Sequence, residues 1–192
     1  MREVVKLAGI LFIITSVAAI LLGFTNMATR DVIAQQLELE NTEARKSALP
    51  IAEEFEEVKG KELENALLTD FSSIDEVYQG KKDGEIIGYT FKITSGGYGG
   101  EMVINVGISV EGKVTGIKIV SHSETPGLGA KAAEEDFQNQ YIDKSADSPL
   151  SVIKGNASGN SEIEAIAGAT VTSNAVTDSV NLSIELYHQL FK

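Results

Sequence analysis

No cysteine occurs anywhere in the 192 residues. That absence excludes disulfides, thiolate-held iron–sulfur clusters and cysteine-ligated zinc. Histidine is almost as scarce: His122 and His188 are the only two, far apart in the chain, and a histidine-rich metal site is not expected. Basic residues are outnumbered by acidic ones, 16 to 28, and a net charge of −12 would repel the phosphates of a nucleic acid. There is no Gly-x-Ser-x-Gly elbow, no P-loop and no His-Glu-x-x-His pair. Neither histidine adjoins a nucleophile signature from which a Ser/His/Asp triad could be assembled. Internal repeats and low-complexity stretches are also missing. What remains is 43% hydrophobic and 23% charged, a balance that suits one packed domain plus an additional segment.

That additional segment comes first. Leu7 to Phe24 carries no charge, and with Val4 and Val5 ahead of it the run approaches the ~20 apolar residues that span a bilayer. A signal peptide would have a shorter apolar core and a small-residue cleavage site. This run passes into Thr25-Asn26-Met27-Ala28-Thr29-Arg30 without one, so residues 1–27 are expected to form an uncleaved single-pass anchor. Arg2 and Lys6 favour a cytoplasmic N-terminal tail and an extracytoplasmic domain, although Arg30, Arg45 and Lys46 follow the span.

Residues 28–73 read as a helical stalk and connector. Asp31 to Ser47 lacks Gly and Pro, is rich in helix formers, and should end before Pro50. Ile51 to Lys59 reads as a short acidic helix with a solvated face. From Ile74 the period changes to two. Ile87, Tyr89, Phe91 and Ile93 alternate with small or polar residues after an Asp83-Gly84 turn. Met102, Ile104, Val106, Ile108 and Val110 do the same, and Glu111-Gly112 turns the chain into Val114 to Val120. Ala132 to Tyr141 is expected to be helical and Leu150 to Ile153 a short strand. Val176, Val180, Ile184, Tyr187 and Phe191 form one stripe of a C-terminal helix, widened by Leu186 and Leu190. An antiparallel sheet with flanking helices and no βαβ alternation is an α+β domain, placed at residues 74–192.

Three stretches could carry chemistry. Gly96-Gly97-Tyr98-Gly99-Gly100 joins two strands with more glycine than a turn demands, as a loose hairpin or as a place where a flat ligand approaches backbone. His122-Ser123-Glu124-Thr125-Pro126-Gly127-Leu128-Gly129 holds a Pro-Gly turn, exposed amides that could donate to ligand oxygens, and in Glu124 an acceptor for a ring N–H. Gly168-Ala169-Thr170 leaves the Thr170 hydroxyl unobstructed, while Thr172 or Ser173 could cap the following helix. The start of that helix would favour an anion through its unpaired amides and macrodipole. Capping accounts for Thr172 and Ser173 but not for the Gly-Ala-Thr in front of them.

Gly168-Ala169-Thr170 with Thr172-Ser173 resembles the S/T-G-A-T motif of the FMN-binding domain family, with Ala167 where the motif has Ser or Thr. His122 to Gly129 resembles the HxETPGLG segment of the same family, and the Gly-Gly-Tyr-Gly-Gly loop resembles its counterpart. All three occur in the family's order after one N-terminal span. The resemblance implies one FMN joined through its phosphate to Thr170 by a separate flavin transferase. It also implies ring, ribityl or phosphate contacts from Glu124, Thr125, Pro126, Gly127, Leu128, Gly129, Thr172 and Ser173, with Tyr98 and Gly99 beside them. Within the family the chain looks most like the G subunits of Rnf complexes, ion-pumping ferredoxin:NAD oxidoreductases of the cell membrane. That likeness implies an electron carrier with no substrate pocket and no metal, working among other Rnf subunits. The alternatives are the C-type component of a sodium-pumping NADH:quinone reductase, a flavin domain serving an extracellular reductase, and a membrane-tethered structural protein without flavin.

Overall fold

The computed structural model describes all 192 residues, in two compact units, Met1–Glu40 and Asn41–Lys192. The first is entirely helical and belongs to α1, Arg2–Ala48, which is long and apolar enough to cross a membrane. The hydroxyls of Thr15 and Thr25 donate to the carbonyls of Leu11 and Leu21 four residues back. The Thr15 hydroxyl inside the apolar run, and that of Thr25 just after it, are thereby satisfied without water, as suits hydrocarbon. The helix ends at Ala48, two residues ahead of Pro50, where the proline forbids continuation.

The second unit is built on a five-stranded antiparallel sheet in sequential order: β1 Glu54–Glu57, β2 Ile74–Lys82, β3 Glu85–Gly96, β4 Glu101–Ser109 and β5 Val114–His122. Tight turns set the register. Asp83 and Gly84 both have positive φ, 52° and 82°, the signature of a type I′ hairpin turn between β2 and β3. Between β4 and β5 the chain reverses through Gly112, with φ 76°, and Val110 lies in this turn, exposed, rather than extending the strand.

Alternation buries Phe91, Ile93, Met102, Ile104, Val106 and Ile108 on one face of the sheet, against α4, Thr170–Leu190. The expected stripe is the face that packs: Val176, Val180, Ile184, Leu186 and Tyr187 are buried, and Phe191 stacks on Tyr89 with ring centroids 4.1 Å apart. The opposite face receives the end of α1. A Cβ on Gly107 would overlap the Ala48 carbonyl, and that carbonyl accepts a hydrogen bond from Thr115 at 2.6 Å. Buried Arg45 lies over the Tyr78 ring at 4.0 Å and beside Glu76 at 3.7 Å, so its charge is partnered.

The α+β architecture with an antiparallel sheet is therefore as expected, with two local corrections. Residues 51–59 do not form a helix; they bend into β1, where Glu56 meets Gln79 and Lys81 across the strand pair. The helix of this region is instead α2, Lys61–Leu68, which buries Leu63 and Ala66 against the core. Residues 132–141 are not one helix but a 3₁₀ turn at Gly129–Ala133, α3 at Glu135–Gln138 and a 3₁₀ turn at Asn139–Tyr141. The break falls at Glu134, extended at φ −77° and ψ 148°. Buried Gln138 spans it, donating to Ala133 O at 2.6 Å and accepting from Ile119 N at 3.3 Å. The strand expected near residues 150–153 is β6, Ser151–Ile153, which pairs in parallel with β7, Glu162–Glu164.

Candidate functional site

Two turns of the same type face each other at one end of the sheet. In Thr125-Pro126-Gly127-Leu128, the Leu128 N–H donates to Thr125 O at 3.2 Å and Gly127 has φ 78°. In Ile166-Ala167-Gly168-Ala169, the Ala169 N–H donates to Ile166 O at 2.9 Å and Gly168 has φ 79°. A positive φ at the third position alone defines a type II turn, which calls for glycine there and favours proline just before it. Leu128 packs against Gly168, so the turns share a wall.

The second turn delivers the chain into α4, whose first residue is Thr170. Here the capping expectation fails. The N-cap is Ala169, with no side-chain cap, and Thr172 and Ser173 lie inside the first turn. Their hydroxyls are engaged elsewhere. Ser173 Oγ donates to Ala169 O and accepts from Ile166 N, both at 3.0 Å, and so braces the type II turn from below. Thr172 Oγ1 donates to Glu124 Oε2 at 2.9 Å. The Thr170 hydroxyl makes no hydrogen bond within the protein and is partly exposed. Since Ser173 N is the first amide to find an intrahelical acceptor, Ala169 O at 3.0 Å, the amides of Thr170, Val171 and Thr172 remain available.

Glu124 is held by the chain itself. It is buried, 6% exposed, and both carboxylate oxygens are occupied by protein donors. Oε1 accepts from the amides of Tyr98 at 2.6 Å and Gly99 at 3.1 Å, and Oε2 takes the Thr172 hydroxyl. These bonds use three of the roughly four acceptor positions of a carboxylate, while Glu124 also lines the cavity that these segments enclose. His122 supports the same loop, its Nδ1 accepting from Glu124 N at 3.2 Å, while His188 Nε2 donates to Ala146 O at 2.6 Å.

The segments enclose a cavity of about 400 Å³ lined by Tyr98, Glu124, Thr125, Leu128, Gly129, Gly168, Ala169, Thr170, Val171 and Thr172. Nine of these carry expectations from the sequence. Val171 does not, although a half-exposed valine at the mouth of a helix start is the signal that marks it. Pro126, Gly127, Gly99 and Ser173, also expected from the sequence, are not among the lining residues. A cavity of this size with apolar walls and a few convergent polar groups matches an organic cofactor. FMN fits the donor set: Tyr98, Leu128 and Val171 offer apolar surface to a flat ring, and the free amides opening α4 suit a phosphate. A larger, more open hollow of about 600 Å³ lies on the far side of Ile166–Ala167, among Lys131, Glu134, Asp136, Lys144, Glu162 and Glu164. Its charged lining gives no comparable seat for a flat apolar ring.

Deeper in the molecule the Tyr141 hydroxyl meets Thr177 Oγ1 at 2.7 Å, and Thr177 Oγ1 in turn donates to Ser173 O at 2.9 Å. Tyr141 is therefore the donor of the first bond. Burial pushes its phenol well above the ordinary range, against a smaller opposing effect of the Thr177 bond.

Residues 97–185 match the model of the FMN-binding domain. Over 197 aligned residues the chain is 44% identical to the G subunit of the Na⁺-translocating ferredoxin:NAD⁺ oxidoreductase complex of Acetobacterium woodii, covering 100% of this chain and 95% of that one. It is 35% identical to the G subunit of the proton-translocating ferredoxin:NAD⁺ oxidoreductase complex of Clostridium ljungdahlii, over 88% of this chain and 83% of that one. It is 32% identical to the G subunit of an ion-translocating oxidoreductase complex of Methanosarcina acetivorans, over 96% and 94%. Among solved structures, the C subunit of the Na⁺-translocating NADH-quinone reductase of Parabacteroides distasonis superposes with a TM-score of 0.61, covering 82% of this chain and 94% of that one at 18% identity. NqrC of Shewanella oneidensis gives 0.54 over 73% and 67% at 17% identity. These two structural likenesses concern the fold.

Proposed function

We infer function from the premise that this chain belongs to the family of G subunits of ion-translocating oxidoreductase complexes. It is an electron carrier of such a complex, working through one FMN held in the cavity at the start of α4. The flavin is joined by its phosphate to the oxygen of Thr170 in a phosphoester made by a separate flavin transferase. One observation carries this reading: of the three hydroxyl residues in the first turn of α4, Thr172 and Ser173 have theirs committed inside the protein, while Thr170 lines the cavity with its hydroxyl uncommitted.

Electrostatics supports a covalent link over loose binding. The ten lining residues include no lysine and no arginine, and the one charged side chain among them is an acid. A phosphate there would rely on the α4 amides and macrodipole alone, worth about 0.3–1 kcal/mol at an exposed site. A tether keeps the cofactor in place where charge does not. FMN supplies the one- and two-electron chemistry when bound. The chain's own part is to orient it and to leave one side open to its redox neighbours. Arg2 and Lys6 favour an N-terminal tail in the cytoplasm, with residues 41–192 on the extracytoplasmic side among the other proteins of the complex.

The test is intact and peptide mass spectrometry of the full chain produced with a flavin transferase, alongside Thr170→Val. A gain of one FMN less one water on the peptide carrying Thr170, lost in the variant, is the expected result. No adduct on the wild-type chain would leave a membrane-tethered structural protein without flavin as the better reading. Gentle detergent extraction should bring other membrane subunits of an Rnf complex with the chain. Their consistent absence would point to a different redox partner.

A further inference from the structure

We propose that Glu124 is the positioning residue of the flavin cradle, its single carboxylate fixing the three segments that meet at the cavity and hence the orientation in which the ring is held. The proposal rests on the reading of Thr170 as the flavin attachment point.

A carboxylate withdrawn from water is costly unless paired, and no cation meets Glu124, which is 6% exposed. Its partners are all neutral donors: Tyr98 N at 2.6 Å, Gly99 N at 3.1 Å and Thr172 Oγ1 at 2.9 Å. Three donors and no acceptor is the pattern an ionised carboxylate takes. These partners lie on two segments remote in sequence from Glu124 itself. One oxygen holds the tip of the β3–β4 loop and the other holds the first turn of α4, while Glu124 opens the segment that continues into Pro126 and Leu128. No other side chain bonds to all three segments.

The surrounding residues are shaped around this carboxylate. A Cβ on Gly97 would overlap Glu124 Oε1, and a Cβ on Gly129 would overlap Oε2. These glycines are required by the approach of the carboxylate, one on each side of it. The contact with Thr172 also lies one helical step beyond Val171 and two beyond Thr170, so it sets the rotation of the turn that presents the attachment hydroxyl. Glu124 acts on the flavin through these elements. It is a latch, with three of the roughly four acceptor positions of its carboxylate spent on the chain itself.

Three full-length variants, each produced with the transferase and purified in detergent beside wild type, test the latch. Glu124→Ala removes all three bonds. Glu124→Gln keeps Oε1 as acceptor and offers an NH₂ that the Thr172 hydroxyl can accept, so geometry survives while charge is lost. Thr172→Val removes only the bond to α4 and preserves shape, which guards against misfolding of the alanine variant. The readouts are flavin per chain by intact mass, far-ultraviolet circular dichroism for the fold, and visible circular dichroism for ring orientation.

Glu124→Ala should keep the far-ultraviolet spectrum yet carry roughly fivefold less flavin or worse, the least expected from losing several buried hydrogen bonds at once. Any flavin it holds should show an altered visible spectrum. Thr172→Val should show the same spectral change with a smaller loss of load, and Glu124→Gln should restore both to wild type. Wild-type load and spectrum in Glu124→Ala or in Thr172→Val overturn the proposal, as does a glutamine variant no better than alanine. An unloaded wild-type chain would instead overturn the reading of Thr170, and the latch with it.

Discussion

Replacing Gly168 by alanine isolates the turn that delivers Thr170. Gly168 has φ 79°, where an L-residue pays about 1–2 kcal/mol for the clash of its Cβ with the following carbonyl. A Cβ at this position would also stand 3.1 Å from Leu128 Cδ2, tighter than ordinary van der Waals contact, so Leu128, which lines the cavity, must shift. Gly127→Ala is the matched control, because its φ is 78° and a Cβ there meets nothing within 4 Å. Both variants should lose about 1–2 kcal/mol from backbone strain, which for a domain of this size lowers the melting temperature by roughly 2–8 °C. Only Gly168→Ala should also lower flavin load, since only there does the new methyl push a cavity wall. Gly168→Asn should recover part of the stability, because asparagine tolerates the left-handed region better than alanine does. The assay is thermal unfolding of the full chain in detergent, with flavin load by mass. An alanine variant that melts and loads like wild type would refute the type II turn as the device presenting Thr170. Equal loss of load in both variants would refute the contact with Leu128 as the cause.

Two further expectations come from elsewhere in the domain. The buried Tyr141 phenol is raised above its ordinary value of about 10, so its contribution to stability changes only above that pH, where the unfolded chain ionises first and stability falls at about 1.4 kcal/mol per pH unit. Tyr141→Phe should cost about 1 kcal/mol near neutrality through the lost bond to Thr177 and flatten the alkaline decline by one proton's worth; an unchanged alkaline slope would show that another group titrates. Secondly, a fragment starting at Asn41 should fold, because Ala44, Ala48, Leu49 and Ala52 are buried on the sheet, whereas one starting at Ile74 should not, having lost those residues together with β1 and α2. Well-dispersed amide spectra from the shorter fragment would show that the end of α1 is dispensable.

What is legible in the sequence follows a physical divide. Period-two alternation in Tyr89-Phe91-Ile93 and Met102-Ile104-Val106-Ile108, the stripe from Val176 to Tyr187 and the uncharged run from Leu7 to Phe24 all report on which side of an element faces a core or a membrane. That information is local, and those elements are where the periodicities put them. β1 escapes such a reading because Glu54–Glu57 has no apolar periodicity, and its strand character comes from Gln79 and Lys81 more than twenty residues away. The site divides the same way. Thr172 and Ser173 look like caps when only their neighbours are considered, since a hydroxyl at a helix start has an obvious local use. The use that prevails for Thr172 is a carboxylate 48 residues earlier, which also reaches back 26 residues to Tyr98. Local patterns reveal the three glycine-bearing stretches, and a family resemblance names what they bind, but neither says why they occur together. The overlap that a Cβ on Gly97 or Gly129 would make with the two oxygens of Glu124 supplies a reason. Glycine is required in the first two stretches because the carboxylate of the second fills the space between them, and the hydroxyl from the third bonds to its other oxygen. The three motifs are thus tied together through one carboxylate, whose oxygens meet the first and third stretches while its backbone belongs to the second.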